Sequence, residues 1–297
     1  VYELLHKPVL LKEVLELLVV NKNGIYVDGT VGTGGHAIGI LKMLGENGKL
    51  IAIDRDPKAL ETAKAVLADY SQKIIFIRDR FSKIHENLLS LNITKVEGIL
   101  LDLGMSVSQI HSSGKGFSFL RDEPLDMRMD PDISLTADKV INTYREKELE
   151  KIFKDFGEEE KAKKIAKAIV SERKVKRIET SRELADIVSR VKSVKHSKIH
   201  PATKIFMALR IYINDELNEL RSFLETSPKL LTHKGRLSII SYHSLEDRIV
   251  KTAFKIMEKS GFKVLTKKPI RATKDEIKEN LSARSAKMRV IERSSYG

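Results

Sequence analysis

Through its first hundred residues the chain alternates short apolar runs with longer stretches whose apolar positions recur every three to four residues. The runs at 25–28, 50–54, 74–78 and 98–103 have the length and composition of buried strands, and 36–45, 57–69 and 81–91 have the period of helices. Asp56 followed by Pro57 is the cap-then-proline signature of a helix start. Regular alternation of this kind predicts right-handed βαβ crossovers and a parallel sheet. The pattern then breaks. Residues 104–135 are rich in Gly, Ser, Asp and Pro, a connection far longer than usual and so expected to be functional. From about 136 to 226 the period is helical throughout, with one stripe at Ala162, Ile165, Ala166, Ile169 and Val170. A longer stripe runs from Ile205 through Leu209, Ile213, Leu217 and Leu220 to Leu224. Thr180 with Glu183 fits a capping box before Leu184, Ile187, Val188 and Val191. Strand character returns at 237–242, followed by a helix near 246–259 and strands near 262–267 and 287–292. The expected architecture is α/β, a sheet domain formed by 1–112 with 227–297 and interrupted by a loop and helical insertion over 113–226.

On a parallel sheet, ligands bind beyond the carboxyl ends of the strands. Asp28, Asp54, Asp79 and Asp102 all fall at such ends, which predicts a polar crevice along one edge. The first strand runs into Asp28-Gly29-Thr30-Val31-Gly32-Thr33-Gly34-Gly35-His36. Glycines at a strand-to-helix turn let backbone N–H groups approach a ligand, and an acidic residue about 20 positions on, here Asp54, can grip two ribose hydroxyls. The spacing departs from G-x-G-x-x-G, and Gly29, Gly32, Gly34 and Gly35 look more like the loop that S-adenosylmethionine enzymes place after their first strand. A glycine turn with no ligand is the plain alternative.

Charge sharpens the reading. The formal net charge is +13, but residues 1–100 are nearly neutral, with 13 Lys and Arg against 12 Asp and Glu. Residues 161–200 hold 13 against 4 and residues 261–297 hold 10 against 4, the distribution of a surface for a polyanion such as nucleic acid. The absence of cysteine excludes disulfides and thiolate chemistry. No apolar run approaches the ~20 residues that span a bilayer, and no basic-then-apolar signal opens the chain, so a cytoplasmic protein is expected. No membrane or DNA partner is expected, and self-association is left open.

Asp102 ends the fourth strand beside the crevice, where a carboxylate can accept the N–H bonds of an exocyclic amine, orient it for in-line attack on a methyl group and assist proton loss. The alternative is that Asp102 only binds cofactor or caps a loop. Ser241 through Arg248 gathers Ser, His, Asp and Arg behind a strand, yet lacks the spacing of a hydrolase triad. There Ser244 is expected to cap a helix with Asp247 at its third position, and His243 to line the site. His196, His200, Asp54 and Asp102 show no metal-ligand spacing, so no metal is expected.

Several longer motifs carry a resemblance. They are His6-Lys7-Pro8-Val9-Leu10-Leu11, Gly34-Gly35-His36, Asp54-Arg55-Asp56-Pro57, Asp102-Leu103-Gly104 and Gly116-Phe117-Ser118-Phe119. With them stand Pro124-Leu125-Asp126-Met127-Arg128-Met129-Asp130, His200-Pro201-Ala202-Thr203, His243-Ser244-Leu245-Glu246-Asp247-Arg248 and Arg284-Ser285-Ala286-Lys287. In these the chain resembles, end to end, the bacterial 16S rRNA cytosine-N4 methyltransferase family. The resemblance implies a Rossmann-like class I methyltransferase sheet with an inserted all-helical domain for substrate recognition. It also implies direct methyl transfer from S-adenosyl-L-methionine to the N4 of a cytidine in the decoding region of 16S rRNA, in free RNA or the small ribosomal subunit. Carried over, Gly34, Gly35 and His36 hold the methionine end of the cofactor, Asp54 takes the ribose, Phe81 packs near the adenine, Asp102 and Gln109 complete the pocket, and Gly32 is a further cofactor-binding residue. Val107, His111, Met207 and Thr33 depart from the family's usual Ser, Asp, Gln and Arg. A non-catalytic, cofactor-binding ribosome-assembly factor is the rival reading.

Overall fold

The computed structural model describes residues 8–105, 114–192 and 200–294. The chain forms two compact units, residues 1–104 with 217–297, and residues 105–216.

The first unit is built on a seven-stranded sheet with strands β1 (Ile25–Asp28), β2 (Lys49–Asp54), β3 (Ile74–Arg78), β4 (Val96–Asp102), β5 (Leu231–Ser241), β6 (Phe262–Val264) and β7 (Lys287–Arg293). Their spatial order is β3-β2-β1-β4-β5-β7-β6. All neighbours are parallel except β7, which runs antiparallel to both β5 and β6. Helices α1 (Leu11–Leu18), α2 (Gly35–Met43) and α3 (Pro57–Val66) pack on one face, and α4 (Ile84–Ser90) on the other. Strand side chains divide between the faces with period two, as the pleat requires. Tyr26, Leu50, Ala52 and Leu100 enter the α1–α3 core, whereas Val27, Ile51, Ile53, Ile99 and Leu101 enter the other. Burial on both faces is why these strands read as continuous apolar runs. Asp56 accepts the Lys58 N–H at 3.0 Å and caps α3 with Pro57 in its first turn, as expected.

Helix α1 has no sequence signal of its own start. Its N-cap, Leu10, is left-handed (φ 54°) with no side-chain cap, and the Leu10 N–H donates instead to Glu276 Oε1 at 2.7 Å. The anchor lies 266 positions away in the chain. Strand β5 starts at Leu231, six residues before the expected 237, because the polar Arg236 within it is satisfied. Its guanidinium donates to Glu292 Oε2 (2.8 Å) and to the Leu17 carbonyl (2.7 Å).

The second unit holds α5 (Ala137–Thr143), α6 (Glu146–Asp155), α7 (Ala162–Val175), α8 (Ser181–Lys192) and α9 (Thr203–Ile213). Phe153, Ile165, Ala166, Ile169, Leu184, Val188, Ile205 and Leu209 form its core. The capping box at Thr180 and Glu183 is present, with reciprocal bonds of 3.3 Å. The helical period places α10 (Glu216–Thr226) in the insertion. From Leu217 on, it belongs instead to the sheet unit, where Leu220, Phe223 and Leu224 join α4 and α11 (Ser244–Met257).

The long loop before α5 is tied down where described. Met127 is buried and left-handed (φ 58°), a conformation costly for any residue but glycine. Buried Asn214 holds it: its Nδ2 donates to the Met127 carbonyl and its Oδ1 accepts the Met129 N–H, both at 2.8 Å. Arg128 clamps Asp126 through two bonds of 2.9 and 2.8 Å. Asn214→Ala is expected to lower stability by about 2 kcal/mol or more through these lost buried bonds, measurable by denaturant unfolding.

Candidate active site

The strand order reverses between β1 and β4, so the crevice lies beyond their carboxyl ends. The turn after β1 reaches α2 through two left-handed glycines, Gly32 (φ 52°) and Gly34 (φ 92°), and Gly34 is the N-cap. A side chain at either position would be strained, and the turn aims the first-turn N–H groups of α2, from Gly35 and His36 onward, out of the sheet. Two neighbours pin it. Asp54 Oδ2 accepts the Gly32 N–H at 2.9 Å, while Thr30 Oγ1 accepts the Asp102 N–H at 2.7 Å. Asp54 also accepts the Asp56 N–H through Oδ1 at 2.9 Å. Each of its oxygens keeps a second acceptor position, and the residue stays partly exposed.

Asp28 is buried and accepts the Thr30 N–H at 3.2 Å. Burial pushes its carboxyl up to about 7, opposed by His36 and the Thr30 N–H and reinforced by the charges of Asp102 and Asp54. Burial also raises Asp54, against the two N–H bonds it accepts. Three strand-end carboxylates therefore share one negative nest. Asp79, the fourth, uses its oxygens on the Arg80 N–H (2.8 Å) and Asn87 Nδ2 (3.1 Å). Because the folded state holds the Asp28 proton well above the ordinary 3.8, it binds more protons than the unfolded chain between those values. Ligand-free stability is then expected to fall as pH rises from about 4 to 7, on the order of 1.4 kcal/mol per unit at most. Thermal unfolding of the wild type and Asp28→Asn across this range checks it, the variant having the flatter profile.

His36 is buried with Nε2 at 2.9 Å from the Val9 carbonyl, so in the neutral ring that nitrogen carries the hydrogen. Bare Nδ1 then faces Asp102 Oδ2 at 3.7 Å. Burial together with the nearby Asp102 carboxylate holds the hydroxyl of Tyr242, one residue past β5, well above the ordinary value. The phenol stays protonated. The sequence pattern assigns Tyr242 and Thr30 no role, although the position of each just beyond a strand end is visible in it. Phe81, in a single 3-10 turn after β3, lies edge-on to Phe223 with centroids 5.7 Å apart. Its Cβ would sit 3.3 Å from a Cβ on Gly29, which places it against the glycine turn. Gln109 lies outside the described residues.

The expected Ser244 cap is corrected. His243 has the extended backbone of an N-cap, and Glu246 N–H donates to its Nδ1 at 3.4 Å. Buried Glu246 returns the bond to His243 N–H (3.3 Å) and also takes Tyr242 N–H (2.8 Å). Asp247 pairs instead with Arg289 at 2.7 Å. His243 thus fixes the turn that carries Tyr242.

A sheet of this order with an antiparallel β7, a glycine turn at β1 and a carboxylate ending β2 defines a class I methyltransferase of the S-adenosylmethionine type. The sequence profile of the MraW methylase family matches residues 3–294, and the chain belongs to that family. It is 48% identical over 288 residues to the ribosomal RNA small subunit methyltransferase H of Sulfurihydrogenibium sp. (strain YO3AOP1), covering 96% of this chain and 98% of that protein. Proteins of the same name match from Coprothermobacter proteolyticus (46% over 293 residues; 98% and 97% covered) and Clostridium botulinum strain Kyoto (44% over 305 residues; 97% and 98% covered). Among the described residues, no helix is long and apolar enough to cross a membrane.

Proposed function

We propose that the chain methylates the exocyclic N4 of a cytidine in the decoding region of 16S rRNA, in the cytoplasm, with S-adenosylmethionine as donor. The observation that carries this reading is the placement of Asp102 at the end of β4 beside the glycine turn, its backbone N–H held by Thr30 and its Oδ1 accepting the Gly104 N–H at 3.4 Å. The residues fit the cofactor. The α2 N-terminus after Gly34 suits its carboxylate, and Asp54 has acceptor positions for ribose hydroxyls. The nest of Asp28, Asp54 and Asp102, whose mutual repulsion helps hold Asp28 protonated, suits a ligand bearing ammonium and sulfonium charges. Phe81 offers a flat wall for the adenine.

When bound, the cofactor supplies an electrophilic methyl on sulfur. Asp102 accepts an N–H of the cytosine amine and directs its lone pair in line, which removes the orientational cost of the encounter. The amine would gain its bond to the methyl carbon as that carbon's bond to sulfur breaks, leaving a neutral thioether, and the amine would then lose a proton to Asp102. The Gly104 N–H holds that carboxylate at Oδ1, and the cap formed by His243 and Glu246 keeps Tyr242, with its protonated phenol, near it. The absence of cysteine is consistent with direct transfer, without a covalent bond between enzyme and base. The basic segments at 161–192 and 263–293 hold phosphates.

Incubation with labelled S-adenosylmethionine and small subunits lacking their native methylation is expected to give N4-methylcytidine on nucleoside analysis. Tight cofactor binding with no label incorporated would favour the assembly-factor reading.

A further inference from the structure

We infer that the imidazole of His200 is a stacking platform for an unpaired base of the RNA substrate, an inference that rests on the rRNA reading above. The ring lies flat on Phe119, with centroids 4.3 Å apart and planes 11° from parallel. Phe119 is in turn braced edge-on by Phe206 (5.5 Å, 86°), which is buried in the core of the helical unit. Ala202 N–H donates to His200 Nδ1 at 3.2 Å, so the imidazole cannot turn freely and, when neutral, carries its hydrogen on Nε2. Despite these restraints the residue is exposed.

A turn that needed only an acceptor for the Ala202 N–H would be served by Asn, Asp or Ser. What histidine adds is a rigid aromatic plane, held by the core below. Single-stranded RNA is recognised by such planes, on which splayed bases stack, together with cations that follow the phosphates. The same unit supplies the cations. Residues 161–192 hold 11 Lys and Arg against 4 Asp and Glu, and Lys163, Lys164 and Lys167 are exposed along α7. A base stacked on His200 would extend the Phe119–His200 pair into a three-layer stack.

Two variants of the full chain separate stacking from turn capping. His200→Asn keeps an acceptor for the Ala202 N–H and removes the plane, whereas His200→Phe keeps the plane and removes the acceptor. Affinity for an unmethylated 16S rRNA transcript, with the KM and kcat of methyl transfer to unmethylated small subunits, is the readout. The Asn variant is expected to bind about ten-fold or more weaker and to raise KM with kcat little changed, while the Phe variant stays within about three-fold of the wild type. Equal affinity of the Asn variant and the wild type would overturn the inference. So would an equal loss in both variants, which would assign His200 to the turn alone. Failure of the wild type both to bind the transcript and to methylate the small subunits would instead overturn the rRNA reading, and the platform with it.

Discussion

Asp54→Ala is expected to weaken S-adenosylmethionine binding at least a hundred-fold. The side chain does two jobs. It ties the glycine turn to the end of β2 through the Gly32 N–H and steadies the α3 entry through the Asp56 N–H, each at 2.9 Å. Its remaining acceptor positions would receive ribose hydroxyls. Hydrogen bonds to a charged group contribute about 1.5–3 kcal/mol each, so losing two to the ligand gives the stated effect before any loosening of Gly32. The fold should suffer less. The lost N–H partners cost stability, but removing a carboxylate that burial already disfavours offsets part of it. Titration calorimetry and thermal unfolding with and without cofactor check both parts, and a dissociation constant within three-fold of wild type would remove Asp54 from the site.

Asp102→Asn is expected to lower kcat by about 10²–10⁴, the usual range for losing a positioned proton acceptor. Asparagine preserves shape and can still accept one N–H of the amine, but it cannot take up the proton. The backbone bond from Asp102 N–H to Thr30 does not depend on the side chain, so the strand end should stay in place. Measuring cofactor affinity beside rate separates the two roles open to this carboxylate. Loss of rate with nearly unchanged affinity assigns Asp102 to chemistry, whereas lost affinity with unchanged kcat makes it a wall of the cofactor pocket.

The central strands are legible in the sequence because they are buried on both faces and follow each other through short helices. Residues 25–28 and 74–78 match their strands to the residue. The Asp56–Pro57 start and the Thr180–Glu183 box are legible because a cap is a local device. What escapes is decided at a distance. Helix α1 begins where Glu276 reaches back to Leu10, and β5 extends through Arg236 because Glu292 and Leu17 satisfy it. The cap of α11 falls one residue before the expected position. Ser244 is the better capping residue in isolation, but buried Glu246 bonds the N–H groups of Tyr242 and His243. At the site, four aspartates at strand ends can be read from the chain, but only folding separates Asp79, which turns to Asn87, from the three that crowd together.

Strand β4 lies between β1 and β5, yet its two partners are made at very different times. Translation delivers β1 through β4 first, then the whole helical unit, and only afterwards Leu231–Ser241. At about 5–20 residues per second the wait is roughly 7–28 s. During it, Val96–Asp102 presents an unpaired parallel edge flanked by Ile99, Leu100 and Leu101, the kind of edge that recruits other chains. Such an exposed edge makes the nascent chain a client for chaperones, so its yield in the cell depends on how fast the C-terminal strands follow the first four.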